Sequence, residues 1–316
     1  HVFKSPRMAF DYAQFSAAFP WFFPAAAFLI GACVGSFLNV VIYRVPKEES
    51  IVSPGSHCGC GQPIKWHDNI PILSWLFLGG RARCCGRRFS FRYPFVELLT
   101  ATLFVVCWLK FPPAVAICGW IFLSCLLAAT FIDLDHMIIP DVFTIGLGVV
   151  GVLLSTAVPA LHGPQGDYYL VDSMRAGLTS LQGLLIGSAL VLWIALLAEV
   201  VLKKEAMGFG DVKFVGAIGA FCGWQGAVFA VFGGAVVGTV WFVIAKAIEL
   251  ASGRKPVSAP GWLEPESFDR ADFSGSSLAF GAHVPFGPML AIAGALYFLA
   301  FREAALAYLA DIAPLF

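Results

Sequence analysis

Runs of about 20 consecutive apolar residues constrain this chain more than any other feature, because a helix of that length matches the roughly 30 Å hydrocarbon core of a bilayer. Eight segments qualify: 19–43, 94–111, 113–132, 139–158, 177–202, 212–223, 226–250 and 285–308. In lipid every backbone N–H and C=O must find a partner within its own segment, so each is expected to be a helix. The composition agrees, with 59% hydrophobic and only 13% charged residues, against about 25% charged in a soluble domain. The expected fold class is an all-α polytopic membrane protein with about eight transmembrane helices. The sixth segment is short, which predicts a helix that is tilted or sunk within the bundle and covered by its neighbours. Between the second and third, the hairpin is only "KFPP".

Net charge is zero, so no overall field points to nucleic acid. Placement of the basic residues is more informative. The 44–93 loop holds Arg44, Lys47, Lys65, Arg81, Arg83, Arg87, Arg88 and Arg92, whereas 159–176 has only Arg175. Lys203 and Lys204 precede the "GFGD" turn, and Arg254, Lys255 and Arg270 lie in a 251–284 loop insertion. Basic loops stay on the cytoplasmic side, and eight crossings with the N-terminus outside satisfy all of them at once. Residues 1–18 read as a tail, with 1–7 a tag-like stretch that carries no function. The first apolar segment lacks a small-residue cleavage site and reads as a span. Segment 44–93 reads as a small cytoplasmic Cys-containing domain, 94–308 as the membrane domain and 309–316 as a C-terminal tail.

Four acids lie against apolar runs, Asp133, Asp135 and Asp141 in "FIDLDHMIIPD" and Asp211 in "GFGDVK", and the topology puts Asp133, Asp135 and Asp211 at the same cytoplasmic face. Asp141 follows Pro140, a residue suited to a helix's first turn, and reads as a favourable first-turn acid. Asp135 faces away from Asp133 on a helix and reads as a solvated acid. Asp133 and Asp211 adjoin spans, where ionisable groups are functional candidates. Gly208 and Gly210 remove side chains before Asp211 and permit positive φ; the alternative is a Gly turn with Asp211 as N-cap. Two close carboxylates share a proton, so one can activate water while the other donates to a peptide carbonyl, as in aspartic proteases. Lys213 either tunes that pair or snorkels to the interface. Glu97 is expected to pair with an arginine of the loop, the alternative being a role in substrate binding, and Asn39 to hydrogen-bond between helices.

Cys33, Cys107, Cys118, Cys125 and Cys222 fall in apolar spans and read as packing residues. Cys58, Cys60, Cys84 and Cys85 fall in the basic loop, where two cysteine pairs in a reducing compartment suggest structural zinc. Their Cys-x-Cys and Cys-Cys spacings are awkward for one tetrahedral ion, and His57 is a substitute ligand.

Together these residues resemble the type IV prepilin peptidases, the bifunctional leader peptidase/N-methyltransferases of bacterial pilus and type II secretion systems. The likeness runs in order through "GSFLNVVIYRVP" at 35–46, "IKWHDNIPILSWLFLGGRARCCGRRFSFRYPFVELLT" at 64–100, "FIDLDHMIIPD", "GFGDVK" and "VPFGPML" at 284–290. It implies a GxGD aspartic protease with Asp133 and Asp211 catalytic and Gly208, Gly210 and Lys213 in support. It further implies cleavage of prepilins or pseudopilins after a glycine at the cytoplasmic face of the bacterial inner membrane. Methylation of the new N-terminus would use S-adenosylmethionine. The family's usual zinc pattern is two Cys-x-x-Cys pairs. Aligned on "NIP" and "RYP", their first members fall here on His57 and Ala82. No Gly-rich nucleotide loop is present, so the methyl-donor site is assigned only to the 44–93 loop with its aromatics. Neither the particular pilin nor the oligomeric state is legible. The other readings are a peptidase without methyl transfer, a transporter using the two acids as a relay, and an inactive scaffold.

Overall fold

The computed structural model describes residues 12–163, 166–203, 207–252 and 285–312. Residues 1–11, Lys204, the 251–284 insertion from 253 onward with its Arg254, Lys255 and Arg270, and the end of the C-terminal tail lie outside the described residues. The fold is all-α, with helices α1 Tyr12–Ala18, α2 Phe22–Arg44, α3 Leu73–Leu78, α4 Arg92–Lys110, α5 Pro113–His136, α6 Ile145–Ala157, α7 Tyr169–Leu202, α8 Phe209–Ser252, α9 Gly287–Leu296 and α10 Arg302–Ile312. Among the described residues six helices are long and apolar enough to cross a membrane, and a shorter apolar one spans Asp141–Ala157.

The eight apolar segments are all helical, with two changes of detail. The fourth was expected to be helical from 139. Instead Pro140, which lacks an N–H and biases Ile139 towards extended backbone, delays α6 to Ile145, after a 3-10 turn at Asp141–Phe143. The sixth and seventh are the two limbs of α8, parted at Gly223, whose φ of 71° and ψ of 178° break the helix. The second limb folds back sharply: a Cβ at Gly219 would sit 3.2 Å from that of Ala227, whereas eight residues of straight helix span about 12 Å. The carbonyl of Ala220, left over by the break, accepts from Ser180 Oγ at 2.7 Å and Ser155 Oγ at 3.4 Å.

As the short sixth segment predicted, residues 212–223 form the covered centre of the bundle; all but Lys213 are buried. Phe122 of α5 stacks on Phe221 with ring centroids 4.7 Å apart. With apolar groups already matched to lipid, what draws helices together in a bilayer is close backbone approach through small residues. A Cβ at Gly31 or Gly35 of α2 would lie 2.7 Å from Ala101 Cα or 2.6 Å from Glu97 Cα of α4. Between α7 and α8 the contact is tighter still: a Cβ at Gly183 would lie 2.1 Å from the Gly219 carbonyl oxygen. Gly183→Ala is therefore expected to lower the unfolding midpoint in detergent, the overpacking costing about 1–3 kcal/mol. Gly55→Ala, whose Cβ would meet nothing within 4 Å, should leave the midpoint unchanged. Equal midpoints for Gly183→Ala and wild type would mean that α7 does not rest on the first limb of α8.

Candidate active site

Asp133 sits in the last turn of α5. The helix ends when Met137 adopts the left-handed conformation, φ 55°, with its N–H returned to the Asp133 carbonyl at 2.9 Å. Although close to the helix end, the Asp133 side chain is covered; the residue is 6% exposed. Its cover is the "PFGP" segment that opens α9, where the Gly287 N–H donates to Asp133 Oδ2 at 3.1 Å. A Cβ at 287 would fall 2.5 Å from that oxygen, so only glycine lets the amide reach it. The motif was visible in the sequence, but nothing local says that it closes over an acid 154 residues away.

Asp211 lies in the first turn of α8, not at its N-cap, with its N–H on the Gly208 carbonyl at 3.1 Å. The helix dipole there favours a carboxylate. Its turn packs on Ile139, the same side chain that a Cβ at Gly287 would meet beside Asp133. Gly208 and Gly210 are both outside positive φ, so what they contribute is the absence of a side chain. A Cβ at Gly210 would meet the Ile139 side chain at 3.7 Å, an ordinary contact, and one at Gly208 would have little but the Asp211 carboxylate itself within reach, at 4.0 Å. Their bareness leaves space beside the acid. Ile139, not singled out by sequence, is the packing element common to the three segments, since a Cβ at Gly287 would also lie 3.0 Å from its Cδ1.

Two ion pairs position these segments. Arg92, the first residue of α4, makes a bidentate pair with Asp135 at 2.8 and 2.7 Å and donates to the Phe131 carbonyl at 3.3 Å. Both side chains are largely covered, so Asp135 is a partner of Arg92 and not a solvated acid. Lys213 neither contacts the two acids' carboxylates by hydrogen bond nor stands free; its Nζ pairs with Asp141 Oδ1. That bond ties the turn after α5 to the start of α8, so the segments bearing Asp133 and Asp211 are fastened one to the other. Asn39 donates to the Tyr93 carbonyl at 3.2 Å, joining α2 to α4 as expected.

In the 44–93 domain the four loop cysteines gather, with all four Sγ atoms within 4.8 Å of one another. Each pair sits in a tight turn closed by an isolated antiparallel bridge, His57 with Pro63 and Arg81 with Arg88. Gly61 and Gly86, at φ 84° and 70°, let those turns close, which is why the unusual spacings still converge. The Sγ separations of 3.6 Å for Cys58 and Cys85 and 3.4 Å for Cys60 and Cys84 are near what four thiolates around one zinc at about 2.3 Å require. The Gln62 amide, then the Cys84 thiol, draw Cys60 down to about 7, and the bond to Cys60 pushes Cys84 up to about 12. His57 is no substitute ligand: it stays outside the cluster, with Nδ1 3.2 Å from the Gly55 carbonyl. Arg83 grips Asp68 with both its Nε and Nη2, tying the second turn to the 66–69 segment.

Glu97 corrects another expectation: it accepts from a backbone amide and from the Ser36 hydroxyl, not from an arginine. Ile72 N–H donates to Glu97 Oε2 at 2.6 Å. Ile72 itself holds φ 63° and ψ −52°, with Leu73 N–H on the Pro71 carbonyl at 2.6 Å. A γ-turn of this hand is rare and strained in a β-branched residue. The buried carboxylate of α4 thus anchors the extramembrane domain through a backbone shape that only long-range contact maintains.

Residues 29–111 match the bacterial peptidase A24 N-terminal domain, and residues 120–243 match the type IV leader peptidase family. A protein of Myxococcus xanthus named prepilin leader peptidase/N-methyltransferase is 39% identical over 73% of this chain and 65% of its own length. One of the same name from Klebsiella pneumoniae is 39% identical over 67% of this chain and 90% of its own. Another, from Aeromonas salmonicida, is 33% identical over 87% of this chain and 90% of its own. No solved structure matches the chain. With both domains matched in order and two of these relatives covered over 90% of their own length, the chain belongs to the type IV leader peptidase family.

Proposed function

We propose that the protein is a membrane-embedded aspartic endopeptidase that removes the leader of a type IV prepilin or pseudopilin after a glycine, at the cytoplasmic face of the bacterial inner membrane. It then methylates the amine so exposed, with S-adenosylmethionine as donor. The observation that supports this reading is that the segments bearing Asp133 and Asp211 pack on the same residue, Ile139, and are tied by the Lys213–Asp141 ion pair, in a chain whose relatives are named prepilin leader peptidase/N-methyltransferase.

Two adjacent carboxylates titrate as a pair and hold one proton between them over a wide pH range. The ionised member takes a proton from water as the water adds to the scissile carbonyl carbon. Its protonated partner gives its proton to the carbonyl oxygen. Collapse of the tetrahedral intermediate breaks the C–N bond and returns a proton to the leaving amine. The Gly287 N–H fixes the Asp133 carboxyl rotamer through one oxygen and leaves the other for water. The side-chain-free Gly208 and Gly210 let an extended peptide approach Asp211. The substrate's apolar helix would remain in the bilayer beside the enzyme.

Cys58, Cys60, Cys84 and Cys85 fit a structural zinc site, where the ion would cross-link the two turns and supply folding energy to a segment with little core. Methyl transfer is assigned to the same domain, whose Trp66 and Phe77 are strongly exposed; aromatic faces suit a sulfonium cation.

Asp133→Asn and Asp211→Asn should each abolish cleavage of a synthetic leader-plus-helix substrate, read by mass, while the variants remain folded in detergent. Wild-type cleavage by either variant refutes the dyad. If the ion pair of Asp141 and Lys213 positions the dyad, Lys213→Met should lower kcat by roughly 10-fold, as expected for loss of a charge-assisted bond. The exchanged pair Asp141→Lys with Lys213→Asp should then recover part of the loss; no recovery would reduce Lys213 to a general structural role. Metal analysis should find one zinc per chain, reduced by Cys60→Ser. That variant should lose methylation of an already cut substrate more than it loses cleavage. A metal-free parent protein rejects the zinc assignment.

A further inference from the structure

At the membrane end opposite Asp133 and Asp211, the "KFPP" hairpin, the 159–163 segment and the α9–α10 junction enclose a cavity of about 290 Å³. Its wall carries Lys110, Arg302 and Glu303 among apolar residues that include Phe111, Val115 and Phe298. The proposed chemistry uses none of it.

The junction is built unusually. Between α9 and α10 the chain makes a π-helical turn, Tyr297–Phe301; such turns widen the hydrogen-bond ladder and recur at functional sites. Lys110 Nζ donates to the Leu299 carbonyl inside that turn, so one cation is fastened at the cavity edge. Arg302 follows immediately. It is half-buried, and among the described residues it has no hydrogen bond or ion pair; Glu303 beside it is not within ion-pair distance. Nearby His162 brings no further charge: burial, and then the Arg302 guanidinium, hold its imidazole down at about 4. The first turn of α5 adds Val115 to the wall, bringing the positive end of a helix dipole to the same side.

The Arg302 guanidinium is half-covered and holds no hydrogen bond or ion pair among the described residues, so its donors are available to a ligand, and its planar fork is the side-chain geometry best matched to phosphate. We infer that this cavity binds a phosphate-bearing anion through Arg302 and Lys110. Its position at the end of the spans, with aromatic and aliphatic residues below the two cations, favours the headgroup of an acidic phospholipid over free phosphate. Glu303 would exclude a second negative charge from the rim.

The intact protein in nonionic detergent provides the test. Its unfolding midpoint is followed while dihexanoyl phosphatidylglycerol, dihexanoyl phosphatidylcholine or inorganic phosphate is added. Phosphatidylglycerol is expected to raise the midpoint saturably and phosphatidylcholine, with the same tails but no net charge, is not. A rise with inorganic phosphate alone would support the anion site and name the soluble ion as its occupant. Arg302→Gln should weaken the phosphatidylglycerol response by about 10-fold in concentration, the scale of one lost charge-assisted bond. If that variant fails to fold, Lys110→Gln gives the same reading. Equal responses to the two lipids, no response to either anion, or an undiminished response in the folded variant would each overturn the inference.

Discussion

Backbone-to-backbone contact between α7 and the first limb of α8 is the constraint on which the rest of this molecule depends. In lipid the apolar side chains of a helix gain little by leaving their solvent, so association relies on fit. Gly183 against Gly219 gives that fit in its closest form, with no room for a methyl group on either helix. It sinks the short limb 212–223 into the centre of the bundle, and the limb's N-terminal turn carries Asp211. The Gly223 break then sends the chain back, and Ser180 and Ser155 satisfy the carbonyl it leaves behind. A buried polar group without a partner would be costly there, so the break and the two serines form one device.

Around that limb the site is assembled by contacts that each cross long stretches of chain. Gly287 reaches Asp133, Lys213 reaches Asp141 and Arg92 reaches Asp135. Each bond ends on a residue within eight positions of Asp133. The end of α5 is therefore held from three directions. Catalytic carboxylates need fixed geometry more than they need strong binding, since misplacement of about 1 Å can cost two orders of magnitude in rate. Charges that would be poor stabilisers at an exposed surface serve here to define position.

The extramembrane domain obeys a different economy. It has little apolar core, and its residues 51–91 are mostly exposed. Its order comes from local closures: the two cysteine turns, the Asp68–Arg83 fork and the Ile72 amide held by Glu97. The Glu97 backbone is the point of α4 on which Gly35 of α2 packs, so the same helix pair that starts the bundle also docks the domain. A zinc ion at the four thiols would complete this scheme.

The sequence by itself determined the helices, their approximate limits and the acids worth attention. Those properties depend on hydrophobic run length, on proline and glycine, and on local charge, all of which act over a few residues. Its short sixth segment also pointed to a helix tilted or sunk within the bundle. Only the tertiary structure decided that Asp135 belongs to Arg92, that Asp141 belongs to Lys213, that Glu97 serves a backbone amide and that "PFGP" covers Asp133. The cysteine spacing looked unsuitable as a linear pattern, yet two glycines at positive φ bring the thiols together. Partners of that kind lie up to 154 residues apart. Nothing in a local stretch encodes which distant group will satisfy a buried charge, because that choice is made by helix packing.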